Sequence, residues 1–89
     1  MQIVWDDKKA ASNVTKHHGV TFDEAASCLL DPEAFVDEDP DAEGEARFIL
    51  VGMSDQLRIL TVCYALPDEE TIRIISARKA TRREETNYA

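Results

Sequence analysis

Three glycines in 89 residues are too few to build a glycine-rich loop around a nucleotide phosphate, and no such loop is present. No Ser-His-Asp signature of a nucleophilic hydrolase stands in its place. The two cysteines, Cys28 and Cys63, have no metal-ligand spacing. Each falls in an apolar stretch where a reduced thiol serves as a small hydrophobe, as expected in a reducing compartment. The two histidines are adjacent, His17 and His18. On a helix their side chains diverge by about 100°, which suits no zinc motif. Asp37, Asp39 and Asp41 imitate the start of a calcium loop. Pro40 interrupts it, Ala42 replaces the required glycine, and Phe48 stands where the bidentate acid belongs. No apolar run approaches the roughly 20 residues of a membrane span. The opening MQIVWDDKK lacks the basic-then-apolar order of a secretory signal. Together these absences predict a cytoplasmic protein without metal or cofactor.

Base is also scarce: the formal net charge is −8. The excess is confined to one segment. Asp31 to Glu45 contains eight acids and no base, and the other ten acids balance the ten bases of the chain. Six of those bases lie from Arg58 onward. Distribution rather than sum decides what a surface attracts, so an acidic total does not exclude an anionic ligand at a basic site.

The hydrophobic fraction of 44% is ordinary for a globular chain, and the length suits one small domain spanning residues 1–89. Ile3 to Trp5 reads as a short strand, with Trp5 in the core. Asp6 or Asp7 can cap a following helix, and Gly19 suits its end. In that helix Ala10, Ala11 and Val14 form a thin apolar stripe. Lys9, Asn13, Lys16 and His17 share the other face, at i, i+4, i+7 and i+8. Thr21 and Glu24 have the capping-box spacing of a second helix, with Val20 positioned to staple onto Ala25. Phe22, Ala25, Ala26, Leu29 and Leu30 should face the core, and Asp31-Pro32 ends the helix. An edge strand is expected near Phe35 and Val36, followed by strands at Ala46–Met53, Leu57–Leu66 and Thr71–Arg78. The links are short, so these strands should be antiparallel. Thr81 and Glu84 begin a short final helix. The fold class is therefore α+β: an antiparallel sheet with two N-terminal helices and a short C-terminal one.

The stretch IRIISARKATRREE (Ile72–Glu85) holds the densest chemistry. Arg78 and Lys79 end a strand, and Arg82 and Arg83 fall in the first turn of a helix, where cations are poorly placed. A bound phosphate would relieve that conflict; a solvated basic turn is the plainer alternative. Strict alternation puts Arg73 and Ile75 on one face and Ile74, Ser76 and Arg78 on the other. Both arginines line one pocket only if the strand twists or bulges near Arg78; alternation otherwise favours Arg78 with Lys79 as phosphate ligands and leaves Arg73 structural.

The segments VWDDKKAASNVTKHHGVTFDEA (Val4–Ala26), EARFILVG (Glu45–Gly52) and IRIISARKATRREE resemble the BrnT family of bacterial toxins, of the RelE-like ribonuclease group. RIISARKAT is the most specific string, supported by the N-x-x-K-H element from Asn13 to His17. The resemblance runs nearly end to end and is weakest from Asp31 to Glu43. It implies a RelE-like fold and a metal-independent RNA endonuclease that inhibits translation. It also implies a BrnA-like ribbon-helix-helix antitoxin in a 2:2 assembly, with operator DNA reached only through that antitoxin.

Cleaving RNA without metal requires a base for the 2′-hydroxyl, cations for the charge on phosphorus and an acid for the leaving 5′-oxygen. On the resemblance, His17 is the leading acid–base candidate, with Lys16, Arg47 of the E-x-R-F element and Arg78 completing the catalytic set. Lys79, Arg82 and Lys9 would hold phosphate. Tyr88 is a candidate acid or stacking platform, or simply packs back on the domain. His17 has its own plain alternative, a helix-end cation beside a negative dipole end. The rival functional class is a non-catalytic toxin-like interaction or co-repressor module, which the net acidity favours. An independent DNA-binding protein lacks a helix-turn-helix or basic helix.

Overall fold

The structure is a computed structural model and describes residues 1–88. The elements run β1 (Gln2–Val4), α1 (Asp7–Lys16), α2 (Phe22–Cys28), β2 (Phe35–Glu38), β3 (Ala46–Met53), β4 (Ile59–Asp68), β5 (Thr71–Lys79) and α3 (Arg82–Asn87). The five strands form one sheet in the order β1-β5-β4-β3-β2. β2 to β5 are antiparallel to their neighbours, but β1 pairs with β5 in parallel, through Gln2↔Thr71 to Val4↔Arg73. The sheet is thus mixed, which corrects the fully antiparallel expectation. Short links dictate only the pairing of consecutive strands. A parallel pair needs a long connection, and everything between β1 and β5 supplies it.

Local signals set the helix ends. The Asp6 carboxylate caps α1 by accepting from Lys8 N at 2.8 Å and Lys9 N at 3.1 Å. The helix stops at the left-handed pair His18 (φ 53°) and Gly19 (φ 84°), and Gly19 N donates to Val14 O at 2.9 Å. Thr21 caps α2, accepting from Glu24 N at 3.0 Å. At α3 the capping box is complete, with Thr81 and Glu84 bonded reciprocally. The final residues of α2 depart from expectation. Leu29, Leu30 and Asp31 donate to the carbonyls three residues back, so the chain tightens after Cys28. The tighter turn rotates Leu30 off the apolar stripe and leaves it 81% exposed.

The core lies between α2 and the sheet: Val20, Phe22, Ala25, Cys28, Leu50, Leu60, Val62, Ile74 and Ala77. Trp5 packs edge-on to Phe22 at its margin, ring centroids 6.0 Å apart. Burial pushes the Cys28 thiol up to about 12, so it remains a neutral hydrophobe. β4 starts and ends two residues later than the pattern Leu57–Leu66 suggested. The Ser54–Arg58 turn takes in Leu57 with a left-handed φ of 61°, and an irregularity between Ala65 and Asp68 accommodates Pro67.

Glu24 does not return to its own cap. Its carboxylate, 2% exposed, accepts from Ser54 Oγ and Arg58 Nε, both at 2.7 Å. It thereby ties α2 to the β3–β4 turn. The hydrogen bond from Arg58 outweighs burial and lowers the Glu24 pKa from the ordinary 4.5. The unfolded chain then binds the extra proton. This contribution is complete above about pH 4.5 and is lost as pH falls through the folded-state pKa. Arg58 is about a third exposed, so removing its partner costs less than in a sealed core. We expect Glu24→Ala to cost about 2 kcal/mol and lower Tm by roughly 8–16 °C at neutral pH. The difference from wild type should shrink in scans toward pH 3.

Candidate functional site

β1 covers only the first three residues of β5, leaving the Ile75–Lys79 edge without a strand partner. Helix α1 fills that edge through Asn13. Its amide donates to Ala77 O at 2.8 Å and Val20 O at 3.0 Å and accepts from Ala77 N at 3.1 Å. A side-chain amide thus completes the backbone accounting that another strand would otherwise provide. Asn13 is only 5% exposed, while Val14 on the supposed apolar stripe is 39% exposed. The docked side of α1 therefore takes Asn13 and His17 from the face read as polar together with Ala10 of the apolar stripe, which packs against the core.

This docking produces a cleft of about 240 Å³ between α1 and β5, lined by Lys9, Ser12, Asn13, Lys16, His17, Ile75 and Ser76. Lys9, Ser12, Asn13 and Lys16 recur at helical spacing, and His17 follows as the C-cap. His17 is half-buried; its exposed neighbour His18 does not line the cleft. Neither Lys9 nor Lys16 has an ion-pair partner among the described residues. The end of α1 contributes partial negative charge that favours cations at Lys16 and His17. The cleft therefore combines two uncompensated ammonium groups, an imidazole and two hydroxyls. Ser12 and Ser76 were not anticipated. Ser12 was within reach of helical periodicity, but Ser76 becomes visible only once the docking edge of α1 is known.

The other candidates lie elsewhere. Strand alternation fails in β5 because Tyr64 pairs with Ile74 and Cys63 with Ser76, leaving Ile75 as an extra residue in a bulge. Ile74 and Ala77 can then both face the core. Arg73, Ser76 and Arg78 share the opposite face with their partners Ala65, Cys63 and Thr61, which corrects the assignment of Arg73 and Arg78 to opposite sides. Arg73 pairs with Glu45. Arg78 holds Glu84 through both terminal nitrogens, at 2.7 and 3.0 Å. The cation-rich start of α3 is therefore already relieved by an internal carboxylate. Arg82 is exposed on α3. Lys79 borders a shallow groove with Arg58 and Glu85.

Arg47 also pairs with Ala65 in register, so it shares the Arg73 face, two strands from the cleft. Its Nε is buried without a hydrogen-bond partner among the described residues. The cavity around it includes Glu38, Asp39 and Glu45. Tyr88 donates its phenolic proton to Asp31, and this bond pushes its pKa up to about 12. Asp31 also accepts from Met53 N at 2.7 Å. The structure therefore gathers Lys9, Lys16 and His17 and leaves Arg47, Arg78, Lys79, Arg82 and Tyr88 outside that cleft. β2, in the acidic segment, occupies the far edge of the sheet, with β3 and β4 between it and β5. Among the described residues, Glu45 and Asp31 are the acids of the segment that reach basic or phenolic partners. Among the described residues no group of three or more His, Cys, Asp or Glu side chains is placed to hold a metal ion. None of the described helices is long and apolar enough to cross a membrane.

Fold and cleft together define a small α+β protein with a mixed five-stranded sheet and a basic cleft built on an edge helix. A family model described as the ribonuclease toxin BrnT of a type II toxin–antitoxin system matches residues 5–84. The chain belongs to that family. The 1.1 Å crystal structure of the Brucella abortus ribonuclease toxin BrnT is similar to it at 26% sequence identity. That match has a TM-score of 0.70 and covers 92% of this chain and 99% of that one. No curated protein matches the chain with significance.

Proposed function

We propose that this chain is a single-domain, RelE-like RNA endonuclease acting in the cytoplasm, and that the α1–β5 cleft is its reaction site. The observation that carries this reading is the grouping of Lys9, Lys16 and His17 without internal counter-charge, in a chain of a ribonuclease toxin family. The RNA 2′-oxygen attacks the adjacent phosphorus, and the bond to the 5′-oxygen breaks. One proton leaves the 2′-hydroxyl and one reaches the departing oxygen. His17 moves one of these protons, because imidazole is the side chain suited to both roles near neutral pH. Lys9 and Lys16 stabilise the charge that builds on the phosphoryl oxygens, and Ser12 and Ser76 orient them. None of these roles calls for a metal.

Arg47, Lys79 and Arg82 serve as outlying contacts to the strand rather than to the reacting atoms, because none of them lines the cleft. Tyr88, with its proton engaged by Asp31, offers a ring for a base to stack on. Damage to RNA would inhibit translation. A BrnA-like ribbon-helix-helix antitoxin, two copies with two toxins, would cover the cleft and carry the complex to operator DNA. Its basic residues have a natural counterpart in the acidic segment at the β2 edge.

We expect antitoxin-free protein to cleave RNA with EDTA present, read by gel electrophoresis of a defined transcript. Intact RNA after incubation with folded protein would overturn the catalytic reading. It would favour the co-repressor module, for which the net charge of −8 speaks.

A further inference from the structure

The carboxylate of Glu84 occupies a set of donors that would serve a phosphate equally well. Oε1 accepts from Arg78 Nη1 at 2.7 Å, Thr61 Oγ1 at 2.9 Å and Thr81 N at 2.8 Å, and Oε2 accepts from Arg78 Nη2 at 3.0 Å. A guanidinium fork with a hydroxyl beside it matches two oxygens of a phosphate as well as two of a carboxylate. Arg78 and Thr61 are register partners on β5 and β4, so this pair stays in place whatever α3 does. The element that delivers Glu84 rests on polar contacts, its capping box and the Tyr88–Asp31 hydrogen bond at its end, and not on a buried face. α3 has six residues and none of them is buried. A helix of that length has little stability of its own in water.

Position links this pair to the cleft. Arg78 shares its face with Ser76, which lines the α1–β5 cleft, and the two are two residues apart on the strand, about 7 Å. Neighbouring phosphates of one strand can span such a distance.

We propose that Arg78 and Thr61 form a second phosphate subsite for single-stranded RNA, which Glu84 holds closed as an internal stand-in anion. RNA binds there by displacing Glu84 and loosening α3. The proposal rests on the ribonuclease reading and adds a subsite with a built-in competitor to it. The Glu84 carboxyl is held down to about 2, chiefly by its hydrogen bond with Arg78, so protonation does not open the subsite near neutral pH. Competition by another anion does.

The test is binding of a fluorescent 2′-O-methyl oligoribonucleotide, which the 2′-attack cannot cleave, measured by anisotropy over a range of salt. Wild type, Glu84→Gln, Glu85→Gln, Arg78→Ala and the Glu84→Gln/Arg78→Ala double variant are compared. Glu85→Gln removes the same charge from the same helix at an exposed position without contacting Arg78. Glutamine is accepted in a capping box, so Glu84→Gln keeps the start of α3. Glu84→Gln is expected to bind roughly tenfold more tightly than Glu85→Gln, the gain of a charge-assisted contact no longer contested. The double variant should lose that gain. Arg78→Ala alone should flatten the slope of log K against log salt by about 0.7, one phosphate contact on a single strand. A gain no larger than that of Glu85→Gln overturns the subsite. So does a gain that survives Arg78→Ala, or an unchanged salt slope in Arg78→Ala. Binding that shows none of these effects leaves the cleft reading standing. Absence of binding in every form overturns both.

Discussion

Replacing Asn13 by alanine should cost this protein more stability than any other single polar substitution on α1. The change leaves Ala77 N, Ala77 O and Val20 O without their partner in a site that is nearly sealed. Each buried unsatisfied group costs about 1–3 kcal/mol, so a total of about 4 kcal/mol is expected. A domain of this size has roughly 5–15 kcal/mol of net stability, and the loss takes a large share of it. The unfolding midpoint in urea reads the effect directly. Asn13→Asp is the informative companion. It retains an acceptor for Ala77 N but turns a carboxylate toward two carbonyls, so at neutral pH it should be no better than alanine. A variant within 1 kcal/mol of wild type would show that α1 is held by other contacts. RNA cleavage should fall together with stability, because Asn13 fixes Lys9, Lys16 and His17 relative to β5.

The second large effect is expected at His17. His17→Ala should lower the rate of RNA cleavage by about 10²–10⁴-fold, the usual contribution of a positioned acid or base. Its Tm should change little, since the C-cap role of this residue uses the backbone: His17 N donates to Asn13 O at 2.9 Å. His18→Ala should be mild, because His18 is exposed and does not line the cleft. The two variants form a matched pair, adjacent in sequence and equal in charge. The wild-type pH–rate profile should lose one limb in His17→Ala and keep both in His18→Ala. An unchanged profile in His17→Ala would remove it from the chemistry and transfer the proton to a lysine, a tyrosine or a carboxylate.

The contrast between Glu24 and Glu84 shows how far a capping pattern can be read. Both lie three residues after a threonine before a helix. Glu84 closes its box with Thr81 and also takes Arg78 and Thr61. Glu24 leaves its box half made and turns to Ser54 and Arg58, residues 30 and 34 positions away. The pattern predicts where a helix starts, because the cap hydrogen bonds reach three or four residues. It does not predict the partner of a carboxylate that a distant arginine can bind more strongly.

The sequence by itself determined the three helices and their caps, the five strands, the buried stripe of α2 as far as Leu29 and the α+β class. It also carried the family strings in which Lys16, His17 and Arg78 stand. These depend on propensity, capping and period, all effective over a few residues. Tertiary structure alone decided that β1 runs parallel to β5, that a bulge at Ile75 brings Arg73 and Arg78 to one face, and that Asn13 carries α1 onto the open edge of the sheet. Asn13 and Ala77 are 64 residues apart. Which donor satisfies the backbone at that edge follows from the whole sheet order, and no local pattern encodes it. The α1–β5 cleft exists only because that distant pairing is made.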